Sequence, residues 1–152
     1  MKMGYMKTIS NRLTGNSDTS SLMKGFTVNR LDHFVITVKD VAKTTEFYSR
    51  VLGMIVKNSS NGIKELHFGD QKINVHDVGG GLYPKPKRPT PGSTDVCFNT
   101  DTNLNEVIKH LKNCNVPVIA GPMSVPGARG RMTSVYFLDP DDNLIEVANY
   151  SK

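Results

Sequence analysis

The sequence predicts an α+β fold in which two βαβββ modules together form a cupped mixed sheet. Three observations lead to this fold class. Short runs rich in β-branched and aromatic residues are bounded by turn residues, as strands are. Two other segments repeat apolar residues with the helical period. The order strand, helix, strand, strand, strand occurs twice, over residues 31–77 and 92–149, and such self-similarity indicates an internal repeat.

The first module begins with a predicted strand at residues 31–38. A helix follows over residues 41–52, with Asp40 as its N-cap and Gly53 as the residue that ends it. Three short strands complete the module, at residues 54–57, 63–68 and 72–77. The last two pair as a hairpin across a Gly-Asp-Gln turn.

The second module follows a long loop at residues 78–91, which are rich in Gly, Pro and Lys and show no periodicity. A strand at residues 93–100 leads to a helix at 103–113, whose apolar residues recur at helical spacing. We then predict a short strand at residues 116–120 and a Gly- and Pro-rich loop at 121–130.

The last hairpin, residues 133–149, contains one charged residue in an otherwise apolar strand. Its strands are predicted at residues 135–138 and 144–147, around a turn rich in Asp, Pro and Asn. Glu146 interrupts the apolar second strand. A carboxylate buried without a cation or hydrogen-bond donors costs several kcal/mol, so Glu146 requires either solvent or a partner.

The repeat suggests what that partner is. With an offset of 62 residues His33 falls on Asp95, and with an offset of 70 His76 falls on Glu146. If an approximate two-fold axis relates the modules, the four side chains converge. His33, His76 and Glu146 suit one divalent ion such as Zn, Ni, Co, Mn or Fe(II), with positions open for substrate. For Asp95 three roles stay open: ligation, orientation of a histidine, or capping of a loop.

Basic residues in the two Gly/Pro-rich loops are candidates for binding an anionic substrate, namely Lys85, Arg129 and Arg131. A solvated loop is the ordinary alternative for each. Two other histidines receive no role. We assign His67 to the hairpin surface, with a position facing the same cavity as the alternative, and His110 to the solvated face of the second helix.

Composition restricts the partners and the compartment. The net charge is +5, but without residues 1–24 only 15 basic and 13 acidic residues remain, a balance of +2. With no basic stripe, nucleic acid is not an expected partner, and no apolar run reaches the ~18 residues of a membrane span. Cys97 and Cys114 are expected to be reduced, buried thiols of an intracellular protein.

Residues 1–28 are predicted to be a flexible tail ahead of one domain at residues 29–150. Residues 1–24 contain seven Ser or Thr and one acid, too little apolar surface to offset an ordering entropy of ~1–2 kcal/mol per residue. Because Cys97 and Cys114 are expected to be reduced, we expect a cytoplasmic protein. A mitochondrial transit peptide is the alternative, because a basic, serine-rich, acid-poor segment is typical of one.

The sequence resembles the vicinal oxygen chelate superfamily, which includes glyoxalase I, extradiol dioxygenases, fosfomycin-resistance enzymes and bleomycin-binding proteins. The resemblance covers about residues 29–150. It rests on Leu-Asp-His at the start of the first strand, Leu-Gly-Met at the end of the first helix, and Asp-Pro-Asp-Asp-Asn-Leu-Ile-Glu-Val in the last hairpin. Residues 68–76 and 89–95 are most similar to glyoxalase domain-containing protein 5 and its bacterial relatives.

The resemblance implies one metal held by His33, His76 and Glu146, with Asp95 at the fourth place. Glu146 and Asp95 are then the candidate catalytic residues. Two placements differ from those usual in the family: glyoxalase I carries Glu in its fourth strand and His in its fifth, and extradiol dioxygenases take their second His from the fifth. Because relatives often pair modules between chains, a homodimer is expected.

Three functions follow from these features. The first is a metal-dependent, glyoxalase-like isomerase or lyase acting on a small substrate chelated through adjacent oxygens. The second is an Fe(II) extradiol-type dioxygenase. The third is a non-catalytic protein that binds a small, antibiotic-like molecule. We favour the first. Four protein ligands leave at most two open positions on an octahedral ion, and a substrate chelated through two oxygens fills both, so O₂ has no position at which to bind.

Overall fold

The computed structural model describes residues 25–150 and confirms an α+β fold of two βαβββ modules. The predictions for residues 1–24 lie outside the described residues. Residues 25–30 contain no helix or strand, and a compact unit begins at Leu31. Within the described residues, neither helix is long and apolar enough to span a membrane.

Each module forms its own four-stranded sheet, so residues 25–150 hold two sheets and not one continuous sheet. Sheet 1 has the order β1-β4-β3-β2 and sheet 2 the order β5-β8-β7-β6. In each sheet the first and last strands of the module are parallel neighbours, and the other pairs are antiparallel. The elements are β1 His33–Val38, α1 Val41–Leu52, β2 Ile55–Asn58, β3 Lys64–Phe68, β4 Gln71–Asp77, β5 Asp95–Asn99, α2 Leu104–Asn113, β6 Ala120–Gly127, β7 Gly130–Leu138 and β8 Leu144–Tyr150.

The first helix begins and ends where its capping residues predict. The Asp40 side chain accepts a 2.9 Å hydrogen bond from the Lys43 backbone N–H, which satisfies one of the free donors of the first turn. Gly53 takes the left-handed conformation, with φ of 68°, and its N–H bonds back to the last turn. Between these ends, Phe47, Tyr48 and Val51 are buried and form the face that packs on sheet 1.

Two predicted elements are wrong. Residues 116–119 form no strand, and residues 121–127, predicted as loop, belong to β6, which pairs with β7 as a hairpin. Pro122 and Pro126 make this stretch look like a loop. They are tolerated because β6 is an edge strand, where a missing backbone N–H leaves no partner unsatisfied.

The two modules share one hydrophobic core. The Phe47 ring on α1 lies 6.4 Å from the Phe137 ring on β7, and the Phe68 and Phe98 rings meet edge to face at 5.3 Å. Each sheet turns one face toward this core. The opposite face of each sheet is therefore free to carry polar side chains.

A buried carboxylate joins the turn before β8 to the first module. Asp139 accepts hydrogen bonds from the Tyr48 hydroxyl at 3.0 Å, from the backbone N–H groups of Asp141 and Asn143, and from the Asn143 side-chain amide. Burial and the nearby Asp139 charge raise the pKa of Tyr48 well above its usual range. The turn is thus fixed from within and from across the module boundary.

Strands β6 and β7 approach each other closely at Gly121. A Cβ there would lie 2.4 Å from the Ser134 carbonyl oxygen, at a φ of +91°. We expect Gly121→Ala to lower the free energy of unfolding by about 3 kcal/mol or more. Gly53→Ala is the matched control: it has a φ of +68° but no atom within 4 Å, so it should cost about 1–2 kcal/mol from backbone strain alone. Urea unfolding measures both, and equal losses would contradict the close approach.

Candidate functional site

The polar face of sheet 1 lies opposite its core face. Phe34, Ile36 and Val38 of β1 and Ile73 and Val75 of β4 belong to the core, and successive strand residues point to opposite faces. We call the other face site face 1. In β1 and β4 it carries His33, Val35, Thr37, Lys72, Asn74 and His76.

Site face 2 is the corresponding face of sheet 2. Val96 and Phe98 of β5 and Ile145 and Val147 of β8 pack in the core, so their neighbours point the other way. In β5 and β8 site face 2 carries Asp95, Cys97, Asn99, Leu144, Glu146 and Ala148. Cys97 is exposed in the single chain and Cys114 partly exposed, so the expectation that both are buried is wrong.

The strand registers revise the predicted alignment of the repeat. Val35 lies opposite Asn74 in sheet 1, and Cys97 lies opposite Glu146 in sheet 2. Val35 and Cys97 are themselves separated by the offset of 62 residues. The residue of module one equivalent to Glu146 is therefore Asn74, at an offset of 146 − 74 = 72, and not His76.

His76 lies further along the sheet than the predicted site requires. It is opposite Thr37, four residues beyond His33 on the neighbouring strand. At about 3.3 Å per residue, the two histidines are roughly 13 Å apart along the strands. Asn74 lies between them, and the row equivalent to Asp95 and Glu146 is His33 and Asn74.

Two buried oxygen atoms without partners occupy this row. Among the described residues, three buried side-chain atoms make no hydrogen bond: Asn74 Oδ1, Glu146 Oε1 and Ser134 Oγ. The first two are at equivalent positions of the two site faces. An unsatisfied buried oxygen costs about 1–3 kcal/mol, more when charged, so each of these atoms fits a ligand that the chain itself does not supply.

His33 is held in an orientation suited to metal binding. Its Nδ1 is 2.7 Å from the Asp32 carboxylate, and the ring is 45% exposed. A carboxylate on one ring nitrogen fixes the tautomer and leaves the other nitrogen available as a ligand. Sequence reasoning identified His33 but missed Asp32, although the two are adjacent in the chain.

Three titratable side chains meet on site face 2. Tyr136 is directly opposite Glu146 in the β7–β8 pair. Burial, and then the charge of Glu146, raise the pKa of the Cys97 thiol to about 11 and also raise the pKa of Tyr136. Asp95 adds to the effect on Cys97. Both groups therefore keep their protons at neutral pH in the metal-free protein.

Site face 1 also contains an ion-pair cluster that the sequence did not reveal. Glu65 on β3 contacts both the Lys72 ammonium and His67 Nε2, the latter at 2.8 Å. Glu65 is 13% exposed and His67 29% exposed, so His67 is more enclosed than the predicted surface position. Glu65 lies opposite Asn74. Lys72, and then His67, lower the pKa of Glu65.

The three predicted basic residues have different surroundings. Lys85 lines a small cavity with His76 and Thr37, beneath the loop between the modules, and burial lowers the pKa of His76. Arg129 stacks on the Tyr150 ring at 4.4 Å. Arg131 bonds to the side chain and carbonyl of Ser124. The two arginines are thus engaged within sheet 2, whereas Lys85 faces a cavity.

The predicted metal ligands do not meet within one chain. No group of three His, Cys, Asp or Glu in residues 25–150 is arranged to hold a metal ion. His33 belongs to site face 1, whereas Asp95 and Glu146 belong to site face 2. Each face turns away from the shared core, so each carries half of the predicted ligand set.

Comparisons with known proteins agree with this architecture. Residues 30–147 match the family model described as Glyoxalase/Bleomycin resistance protein/Dioxygenase superfamily. The chain is 42% identical over 123 residues to virulence protein STM3117 of Salmonella typhimurium, covering 81% of this chain and 85% of that protein. It is 46% identical over 123 residues to glyoxalase domain-containing protein RDO1 of Mycosarcoma maydis, covering 81% and 69%.

A solved structure is similar over nearly its whole length. It is an integron cassette protein from the mobile metagenome of V. cholerae, 46% identical, with a TM-score of 0.82 over 83% of this chain and 98% of that one. These relatives do not specifically support the predicted similarity to glyoxalase domain-containing protein 5.

Proposed function

This chain belongs to the Glyoxalase/Bleomycin resistance protein/Dioxygenase superfamily, and we propose that it is a metal-dependent isomerase or lyase of the glyoxalase type. Its metal site forms between site face 1 of one chain and site face 2 of a second, in a homodimer. The ligands are His33 from the first chain and Asp95 and Glu146 from the second. Asn74 adds an oxygen donor.

The observation that carries this proposal is the pair of unpartnered oxygens. Asn74 Oδ1 and Glu146 Oε1 are buried, make no hydrogen bond, and occupy equivalent positions of the two site faces. An imidazole, two carboxylates and an amide oxygen suit a borderline or hard divalent ion such as Zn, Ni, Co, Mn or Fe(II). A bound cation would satisfy both oxygens at once.

The charges of the two faces support their pairing. Site face 1 carries His33, Lys72 and His67, with Glu65 as the carboxylate among them. Site face 2 carries Asp95 and Glu146 beside neutral Cys97 and Tyr136. Glu65 balances the charge of Lys72 on site face 1, so pairing of unlike faces keeps the carboxylates of two acidic faces apart. This complementarity favours a two-fold dimer in which unlike faces meet twice.

Different residues around the proposed site have different roles in the reaction. A bound divalent ion would polarise two adjacent oxygens of a small substrate as a Lewis acid. Glu146 and Asp95 are the groups that can take up and return a proton beside it. The Tyr136 hydroxyl, directly opposite Glu146, is the group that can donate a hydrogen bond to a substrate oxygen. His76 lies further along site face 1 and lines a small cavity with Lys85 of the loop between the modules, and we assign both to an anionic group of the substrate.

Complementation between two inactive variants tests the shared site. His33→Ala and Glu146→Ala homodimers each damage both sites and should contain little metal. In a mixed dimer, one site carries both substitutions and the other carries neither. After a 1:1 mixture is unfolded and refolded, half of the dimers are mixed. The metal content should therefore recover to about a quarter of the wild-type value, as measured by elemental analysis of dialysed protein.

The control mixes two variants of the same face. Asp95→Ala with Glu146→Ala leaves every site damaged, so no metal should return. Recovery in this control, or none in the first mixture, would show that the site is not shared between unlike faces. If either single variant keeps a full complement of metal, the proposed site is wrong. Turnover that requires Fe(II) and O₂ would favour the dioxygenase, and metal binding without turnover the binding protein.

A further inference from the structure

A second cavity lies on the opposite side of the sheets from the proposed metal site. It has a volume of about 390 Å³, opens to solvent, and is lined by the end of α1, one face of α2 and residues of both sheets. Phe98 and Val147 form part of its wall. They are adjacent in sequence to Cys97 and Glu146, whose side chains point to site face 2, so the cavity is directly behind that face and separate from it.

The wall of the cavity is mainly apolar and aromatic. The Phe68 and Phe98 rings, in edge-to-face contact at 5.3 Å and 86°, line it together with Phe137, Val107 and Leu111. A volume of this size lies within the range of small-molecule sites, about 300–1,000 Å³. Aromatic walls favour an aromatic ligand, because rings pack well edge to face or offset.

Two polar side chains of the cavity offer hydrogen-bond acceptors, and Thr100 and Thr102 add hydroxyl groups to its lining. His110 Nε2 contacts the Val51 carbonyl oxygen at 3.1 Å; since a carbonyl only accepts, this nitrogen carries the proton and Nδ1 is an acceptor in the neutral ring. Glu106, one turn before His110, lines the cavity and makes no ion pair with any residue of 25–150.

We propose that this cavity binds a small aromatic molecule that carries a protonated amine. The ring would pack among Phe68, Phe98 and Val107, and the ammonium group would lie at the rim near Glu106 and His110. The arrangement matches donors on the ligand to acceptors on the protein and places a positive charge beside an unpaired carboxylate. It requires neither the metal ion nor the pairing of chains.

Three probes of similar shape test both parts of the proposal: 2-phenylethylamine, phenylacetate and ethylbenzene. The readout is the methyl spectrum of full-length, methyl-labelled protein, in which Val107, Leu111 and Val147 report on the cavity. The methyl signals of all three residues should shift with saturation on addition of 2-phenylethylamine. The amine should bind about two- to fivefold more tightly than ethylbenzene, the range expected for an exposed ion pair, and phenylacetate should bind more weakly than either.

Two variants with one control locate the binding. Val107→Trp fills the cavity and should abolish the shifts, whereas Lys109→Trp, on the exposed side of the same helix, should not. Glu106→Gln, at an exposed position, should keep binding but remove the preference for the amine. Unchanged methyl signals with all three probes would overturn the proposal, as expected if another segment or a second copy fills the cavity. So would a preference for phenylacetate, or undiminished binding in Val107→Trp.

Discussion

Asp139→Ala should lower the free energy of unfolding by about 3–5 kcal/mol, the cost of losing one partner from a buried polar network. Asp139 is 4% exposed, and its partners Tyr48 and Asn143 are fully buried. The substitution removes four hydrogen bonds. The Tyr48 hydroxyl and the Asn143 amides then remain in the core without acceptors. For a domain of this size the melting temperature should fall by about 6–20 °C.

Urea unfolding followed by circular dichroism measures this loss, and Tyr48→Phe is its matched control. That change removes a single hydrogen bond and leaves three donors on Asp139, so it should cost about 1 kcal/mol. A loss below about 1 kcal/mol for Asp139→Ala would show that solvent reaches the turn. Equal losses for both variants would show that the bond between the modules, and not the turn itself, accounts for the effect.

The helices and the central strands could be predicted from the sequence because local chemistry determines them. Asp40 and Gly53 specify both ends of α1, and the spacing of Leu104 and Leu111 specifies the buried face of α2. β6 could not be predicted in this way. Pro122 and Pro126 are loop residues by local preference, and only the position of β6 at the sheet edge, a tertiary property, makes them compatible with a strand.

The sequence prediction chose His76 as the equivalent of Glu146, two residues away from Asn74, for a definite physical reason. Side chains in a strand alternate with a period of two, so a slip of two keeps every side chain on its face. The apolar pattern therefore cannot distinguish His76 from Asn74 as the equivalent of Glu146. The register of the β1–β4 pair distinguishes them. In addition, a histidine in a strand is more readily identified as a candidate metal ligand than an asparagine.

Glu146 should have opposite effects on stability with and without metal. In the metal-free protein its Oε1 is buried and unbonded. Replacing the side chain with one of similar size and no charge removes this cost. We therefore expect metal-free Glu146→Leu to be more stable than the metal-free wild type by about 1–3 kcal/mol, or some 2–12 °C in melting temperature.

Added metal should reverse the order. A divalent ion at 1,000 times its dissociation constant stabilises a binding protein by about 4.1 kcal/mol, which exceeds the advantage of the metal-free variant. The wild type should gain this increment and Glu146→Leu should gain almost none, because it lacks a charged ligand. Thermal melts in chelator and in a series of Zn, Ni, Co, Mn and Fe(II) concentrations give both quantities for each protein.

Glu46→Leu provides the matched control. Glu46 is an exposed residue of α1 whose partner is Arg50, four positions along the helix. Its loss should cost about 0.3–0.5 kcal/mol with or without metal, and the metal increment should equal that of the wild type. Two results would contradict the assignment of Glu146: a full metal increment in Glu146→Leu, or a metal-free variant less stable than the metal-free wild type. The second would mean that the hydrogen bonds of Glu146 with Cys97 and Tyr136 stabilise the protein by more than the unbonded Oε1 costs, which removes the main physical reason for placing a cation beside it.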